Sequence, residues 1–132
     1  MNVLLDTHAF LWALFAPEKL SRKARAAIAD GSIDVCLSPI SLWEISLKFA
    51  LGKLELQGCG PEDLVVAAQD MGLALLASDA LEMASFHRLP RLPHRDPFDR
   101  MLVWQAIRRG LVLVSRDGAL PDYHALGLKT LW

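Results

Sequence analysis

Short runs of leucine and β-branched residues recur along the chain, separated by longer segments of helical period, and this alternation most restricts the fold. The runs "NVLL" (2–5), "IDVCLS" (33–38), "LALLA" (73–77), "LVLVS" (111–115) and "LKTLW" (128–132) read as strands. Between the first four lie paired helical segments, so the order is β-α-α-β-α-α-β-α-α-β-turn-β. That order predicts an α/β domain with a mostly parallel sheet, and right-handed crossovers place helices on both faces in three layers.

Local signals punctuate the helices. The helix at 8–15 follows Asp6-Thr7 and is closed by Pro17. Ser21 is positioned to cap the next, with Gly31 as its stop. In "SPISLWEISLKFALG" either Ser38 or Ser41 can cap, Pro39 suits the first turn, and Gly52 ends the segment. A helix over 60–72 starts near Pro61, one over 78–89 has Ser78 as its expected cap, and the last runs from the "HRDPFDR" segment to Gly110.

Length and composition bound what such a chain does. At 132 residues with 53% hydrophobic content it suits one domain, expected over 1–132, with a substantial core. A net charge of −1 gives no global pull toward nucleic acid or anionic membrane, so a polyanion must be held by local patches or metal ions. Cys36 and Cys59 lack paired spacing, which points to incidental thiols in a reducing cytoplasm. The N-terminal segment has no basic start and carries Asp6, so it is not a signal peptide, and Asp70 and Gly72 interrupt the one other long apolar stretch. A soluble protein with no membrane span is expected.

Four acids fall where a parallel sheet collects functional groups, at the carboxyl ends of its strands. Asp6 ends the first run and Asp117 follows the "LVLVSRD" run, while Glu44 and Asp99 open helices that face the same edge. Each also has a structural reading. Asp6 suits an N-cap, Ser41-Leu42-Trp43-Glu44 matches a capping box with Lys48 four residues on, and Asp117-Gly118 suits a turn. In "HRDPFDRMLV", Asp96 reads as N-cap and Asp99 as the acid of the first turn. Singly, caps and turns are commoner than sites, but four acids together repel one another unless a cation neutralises them. Hard oxygen ligands suit magnesium or manganese, and no His/Cys set is expected to compete for zinc.

The segments "LLDTHAFLW", "SPISLWEISLK", "LGKLEL", "HRDPFDRMLVWQA", "LVLVSRD" and "LKTLW", in this order and spacing, resemble a PIN domain, and most closely the VapC-type toxins of bacterial toxin-antitoxin pairs. The resemblance implies a magnesium-dependent endoribonuclease whose four acids match Asp6, Glu44, Asp99 and Asp117, with Ser115 as the small hydroxyl residue before the last. It implies RNA hydrolysis by a metal-activated water that leaves a 5′-phosphate and a 3′-hydroxyl, with Asp6 and Asp99 as the first-choice ligands and Glu44 and Asp117 to bind a second ion, orient water or hold the first ligands; Asp96 supports Asp99 as the cap of its helix. It also implies a homodimer held inactive by a small antitoxin.

Two basic clusters offset the neutral bulk charge. Lys19, Arg22, Lys23 and Arg25 read as a solvated helix face, whereas the run containing His87, Arg88, Arg91, His94, Arg95 and Arg100 abuts Asp99, so Arg95, Arg100 and, beside Asp117, Arg116 are the expected RNA contacts. The histidines read as loop or cap residues. Trp43 and Trp104 are expected in the core, and Phe10, Trp12 and Phe15 in an antitoxin groove. Two rivals are weaker: a receiver-type phospho-acceptor domain lacks its acceptor aspartate after the third strand and has Arg116 where a lysine is needed, and a catalytically silent PIN-like binding module does not explain the intact acids.

Overall fold

A computed structural model describes residues 1–77 and 79–132. Five strands, β1 (Val3–Leu5), β2 (Val35–Leu37), β3 (Ala74–Leu75), β4 (Val112–Val114) and β5 (Lys129–Leu131), form one sheet in the order β3-β2-β1-β4-β5, and every pairing is parallel. Six α-helices connect them: α1 (Thr7–Phe15), α2 (Arg22–Ala29), α3 (Pro39–Ala50), α4 (Asp63–Asp70), α5 (Ala80–Ser85) and α6 (Pro97–Arg109). The expected α/β/α architecture is what these residues form.

The central strands are apolar on both sides because both sides are covered. Val3, Leu5, Val35, Leu37 and Val114 pack with Phe10, Ala24, Ile45 and Leu64, from α1 to α4. The alternate residues Leu4, Cys36 and Leu113 face Leu102, Val103 and Ala106 of α6 and Leu120 and Tyr123. Period-two alternation thus sends neighbouring residues of one strand into two different cores.

The last connection differs from a simple turn. A 3-10 segment, Leu120–Leu126, packs Tyr123 into the α6 core before β5 pairs parallel to β4, since parallel neighbours require a crossover. The third strand is shorter than the apolar run at 73–77, because only Ala74 and Leu75 pair with β2 and β3 is an exposed edge.

Caps follow side-chain chemistry. Ser38 Oγ accepts from Ile40 N, so Ser38 and not Ser41 caps α3. The cap expected at Ser78 lies outside the described residues, and Asp79 accepts from Leu81 N and Glu82 N at the start of α5. Gly110 ends α6 at φ 66°, a conformation that costs a residue with a Cβ. No helix among the described residues is long and apolar enough to cross a membrane.

Candidate functional site

Connections leave β1 and β4 toward opposite faces of the sheet, which opens a crevice at their carboxyl ends. Asp6 stands at that point on one strand and Ser115-Arg116-Asp117 on the other. The Asp6 amide donates to Val114 O at 3.0 Å, so the ladder continues into the site and fixes the two loops against each other. A cavity of about 370 Å³ is lined by Asp6, His8, Trp12, Asp99, Arg116 and Asp117.

Asp6 is both cap and site residue. Its Oδ1 accepts from Ala9 N at 2.7 Å, and the side chain is almost wholly buried. Burial pushes its carboxyl above the ordinary range and nearby Glu44 adds to this, against the hydrogen bonds from Ser115 and Ala9 and the attraction of His8. Ser115 is buried as well, and its Oγ also accepts from Asp117 N at 3.1 Å.

Asp99 occupies the first turn of α6. Asp96 caps that helix, its Oδ1 accepting from Phe98 N at 2.9 Å and Asp99 N at 3.1 Å, and this aims the Asp99 side chain at the crevice. Burial raises the Asp99 carboxyl, and the charges of Asp96, Glu44, Asp6 and Asp117 raise it further, up to about 7. Asp117 divides its oxygens: Oδ1 accepts from Ala119 N at 2.9 Å, forming the expected turn, and Oδ2 faces the crevice.

Glu44 sits behind these three. It is buried, accepts from Thr7 Oγ1 at 2.6 Å through Oε1, and bonds Lys48 Nζ through Oε2. Ser41, expected as a possible capping partner of Glu44, is buried and its hydroxyl instead lies 3.1 Å from that of Thr7, whose hydrogen goes to Glu44. Glu44 acts on Asp6 and Asp99 through its charge while Lys48 balances it locally.

Two participants were not expected. Thr7 ties α1 to α3 through Glu44, and only its place beside Asp6 hinted at this. His94 comes from the loop before α6, with Nε2 3.0 Å from Asp117 Oδ2 and 3.5 Å from Asp99 Oδ2. These three side chains bring ligand atoms within 4.8 Å of one another, so a histidine read in the sequence as a loop or cap residue joins the acids. A loop reads as a loop in sequence; that it folds back onto the end of β4 depends on tertiary contacts, including the Tyr123 ring set edge-on to His94 at 6.1 Å.

The arginines divide. Arg116 is exposed at the cavity, its guanidinium 5.9 Å from the Trp12 ring centre, and Arg95 is exposed in a neighbouring cavity of about 470 Å³ with Arg91, Leu92, His94 and Arg100. Arg100 is instead a brace, donating to Leu89 O and Pro90 O at 3.1 Å each and stacking over Phe86. Lys19, Arg22, Lys23 and Arg25 form the exposed face expected of them.

The aromatic expectations need correction. Phe10 is fully buried under the sheet, so it cannot line a groove, whereas Trp12 and Phe15 are half-buried. Trp43 is 60% exposed because α3 turns Ser41, Glu44 and Ile45 inward, and it stacks on Phe98 with ring centres 5.1 Å apart. Trp104 is half-buried, its Nε1 donating to Glu82 O.

The donor set suits a divalent cation: Asp6, Asp99 and Asp117 line one cavity, and burial together with their mutual charge penalises the ionised Asp99 carboxyl, a penalty that a cation would offset. A family description, PIN domain, matches residues 3–126. The chain belongs to the PIN-domain family. Its fold is similar to VapBC2 from Rickettsia felis bound to a DNA fragment from their promoter (TM-score 0.68, 13% identity, covering 99% of this chain and 98% of that one). It is also similar to VapBC-1 from nontypeable Haemophilus influenzae (0.63, 15%, 99% and 97%) and to DNA-bound VapBC from Salmonella typhimurium (0.61, 19%, 99% and 97%). No curated protein matches the sequence. The PIN-domain family consists generally of nucleases.

Proposed function

We propose that this PIN domain, comprising residues 1–132, is a divalent-metal-dependent endoribonuclease, the VapC-type toxin of a toxin-antitoxin pair acting in the cytoplasm. The observation that carries the reading is the convergence of Asp6, Asp99 and Asp117 on one cavity at the switch point of the sheet, with Asp99 pushed to about 7 by burial first and by the neighbouring carboxylates second.

In this reading Asp6, Asp99 and Asp117 hold the cation, magnesium or manganese. A bound cation of this kind makes a water acidic enough to attack a phosphodiester and offsets charge on the phosphate. Ser115 fixes Asp6 and the Asp117 amide, Glu44 and Thr7 support the acids from behind, and Asp96 orients Asp99 through the start of α6. Arg116 and Arg95, both exposed beside the acids, receive phosphates of the RNA, whereas Arg100 is removed from that role by its bonds to the loop. Water entry needs no rearrangement, since the cavity is open to solvent at the exposed His8 and Arg116.

The VapBC assemblies among the structural relatives support a small cognate antitoxin as partner. We assign self-association to the apolar cleft where exposed Trp43 stacks on half-buried Phe98, beside the half-buried Ile40, Met83, Phe86 and Met101. Light scattering should find a dimer that Trp43→Glu converts to monomer; a monomeric parent protein would remove this assignment.

The function is tested by incubating purified, partner-free protein with total RNA, with magnesium, with manganese or with chelator. Discrete cleavage that needs metal is the expected result. Intact RNA under every condition, from protein that is folded and antitoxin-free, would overturn the reading.

A further inference from the structure

We propose that His94 is a direct ligand of the cation, adding an imidazole beside Asp99 and Asp117 to the carboxylate set that includes Asp6 and shifting the preference of the centre from magnesium toward manganese; this rests on the metal-nuclease reading above. The side chain is 10% exposed, and its Nε2 faces two carboxylate oxygens at once, Asp117 Oδ2 at 3.0 Å and Asp99 Oδ2 at 3.5 Å.

Those separations match donors that share an ion. Two ligands about 2.1 Å from one cation lie about 3 Å apart at right angles and about 3.4 Å apart at the tetrahedral angle. A hydrogen bond alone leaves the geometry half explained, because a single Nε2–H satisfies one acceptor. Asp117 Oδ1 is already occupied by Ala119 N, so Oδ2 is the oxygen left to bind elsewhere. Among the described residues no hydrogen bond ends on the Asp99 carboxylate, and the same imidazole lies 3.5 Å from its Oδ2.

The position of the ring is built rather than incidental. Tyr123, fully buried in the α6 core, meets the imidazole edge-on with an interplanar angle of 87°, which fixes the plane in which the Nε2 lone pair lies. A ring nitrogen is a softer donor than carboxylate oxygen. Magnesium takes oxygen almost exclusively and tolerates such a ligand poorly, whereas manganese accepts a mixed set.

Electron spin-echo spectroscopy of Mn²⁺ bound to the purified full chain reads the ligand directly, since a coordinated imidazole nitrogen modulates the echo and carboxylates do not. The parent protein should show this nitrogen modulation, His94→Gln should lose it, and His8→Gln, which alters the other histidine at the cavity, should keep it. Calorimetry should give a Mn²⁺ affinity at least tenfold weaker for His94→Gln, with a smaller change for Mg²⁺. Bound Mn²⁺ without nitrogen modulation in the parent, together with loss of Mn²⁺ binding in Asp99→Asn, would overturn the His94 ligand while leaving the carboxylate centre standing. Failure of the parent to bind Mn²⁺ at all would overturn both.

Discussion

The Thr7 hydroxyl donates to Glu44 Oε1 at 2.6 Å, so the residue directly after the first-strand aspartate holds the glutamate of α3. One dipeptide, Asp6-Thr7, therefore supplies a carboxylate to the cavity and fixes another behind it. Both Thr7 and Glu44 are buried, and the hydroxyl also reaches Ser41. Thr7→Val keeps the shape and removes the donor, leaving two buried polar partners short of a bond. A loss of about 1–3 kcal/mol in denaturant unfolding is expected, with reduced RNA cleavage. Unchanged unfolding would mean that Lys48 alone suffices to hold Glu44.

The two aspartates three residues apart in α6 should separate under mutation. Asp96 caps the helix and Asp99 faces the cavity. Asp96→Ala should cost about 1 kcal/mol of stability, and Asp96→Asn less, with cleavage largely retained. Asp99→Asn and Asp6→Asn should abolish metal-dependent cleavage in protein that remains folded by circular dichroism. Equal activity losses in Asp96→Asn and Asp99→Asn would contradict the division between them.

Metal-free protein should lose stability as pH rises through neutrality. Folding raises the Asp99 carboxyl from 3.8 to about 7, so folding favours its protonated form. Its contribution is therefore fully present below about pH 4 and lost as pH climbs through 7. Asp6 is raised and acts in the same direction. At pH 8 the Asp99→Asn protein, without metal, should be more stable than the parent by up to about 4 kcal/mol. Added Mg²⁺ or Mn²⁺ should raise the parent's Tm at pH 8 and have little effect at pH 5, where protons compete. Thermal melts in chelator across this range provide the check; a parent Tm independent of pH from 5 to 8 would contradict the charge account.

A second buried polar network serves the fold rather than the cavity. Glu82, 1% exposed, accepts from Arg109 Nε at 2.8 Å and from Gln105 Nε2 at 3.0 Å, and Gln105 Oε1 accepts in turn from Ser38 Oγ at 2.7 Å. Burial alone would raise the Glu82 carboxyl, but the hydrogen bonds from Arg109 and Gln105 outweigh it and hold it below the ordinary range. Arg109→Met should strand that carboxylate and cost on the order of 3–5 kcal/mol in equilibrium unfolding, with Mn²⁺ binding unchanged at temperatures where the variant is folded. Glu82→Gln should cost less, because no charge is left buried.

Much of this was legible from residue order. The apolar runs of β1, β2 and β4 identify themselves because both sheet faces are covered, and Asp6 and Asp117 follow from where those runs stop. Asp96-Pro97 announces the start of α6 and thereby the direction of Asp99. Other features depend on contacts that local pattern does not encode. Helix α1, "THAFLWALF", is apolar round its circumference, so nothing in it distinguished buried Phe10 from half-buried Trp12. In α3 the inward face carries Ser41 and Glu44, polar residues drawn in by Thr7, and this displaces Trp43 to the surface. His94 is placed by a loop whose fold is set by Arg100 bonding the carbonyls of Leu89 and Pro90.

The strand order has a consequence for synthesis. Because β4 is inserted beside β1, on the side away from β2, the crevice between them has only one wall until the chain beyond residue 114 has left the ribosome. Asp6, Glu44 and Asp99 emerge earlier, but the carbonyl of Val114 that anchors Asp6 and the carboxylate of Asp117 do not. A nascent chain that stops short of β4 therefore carries Asp6, Glu44 and Asp99 without the strand that sets Asp6 and without the fourth carboxylate, and the crevice is assembled only once β4 has docked beside β1.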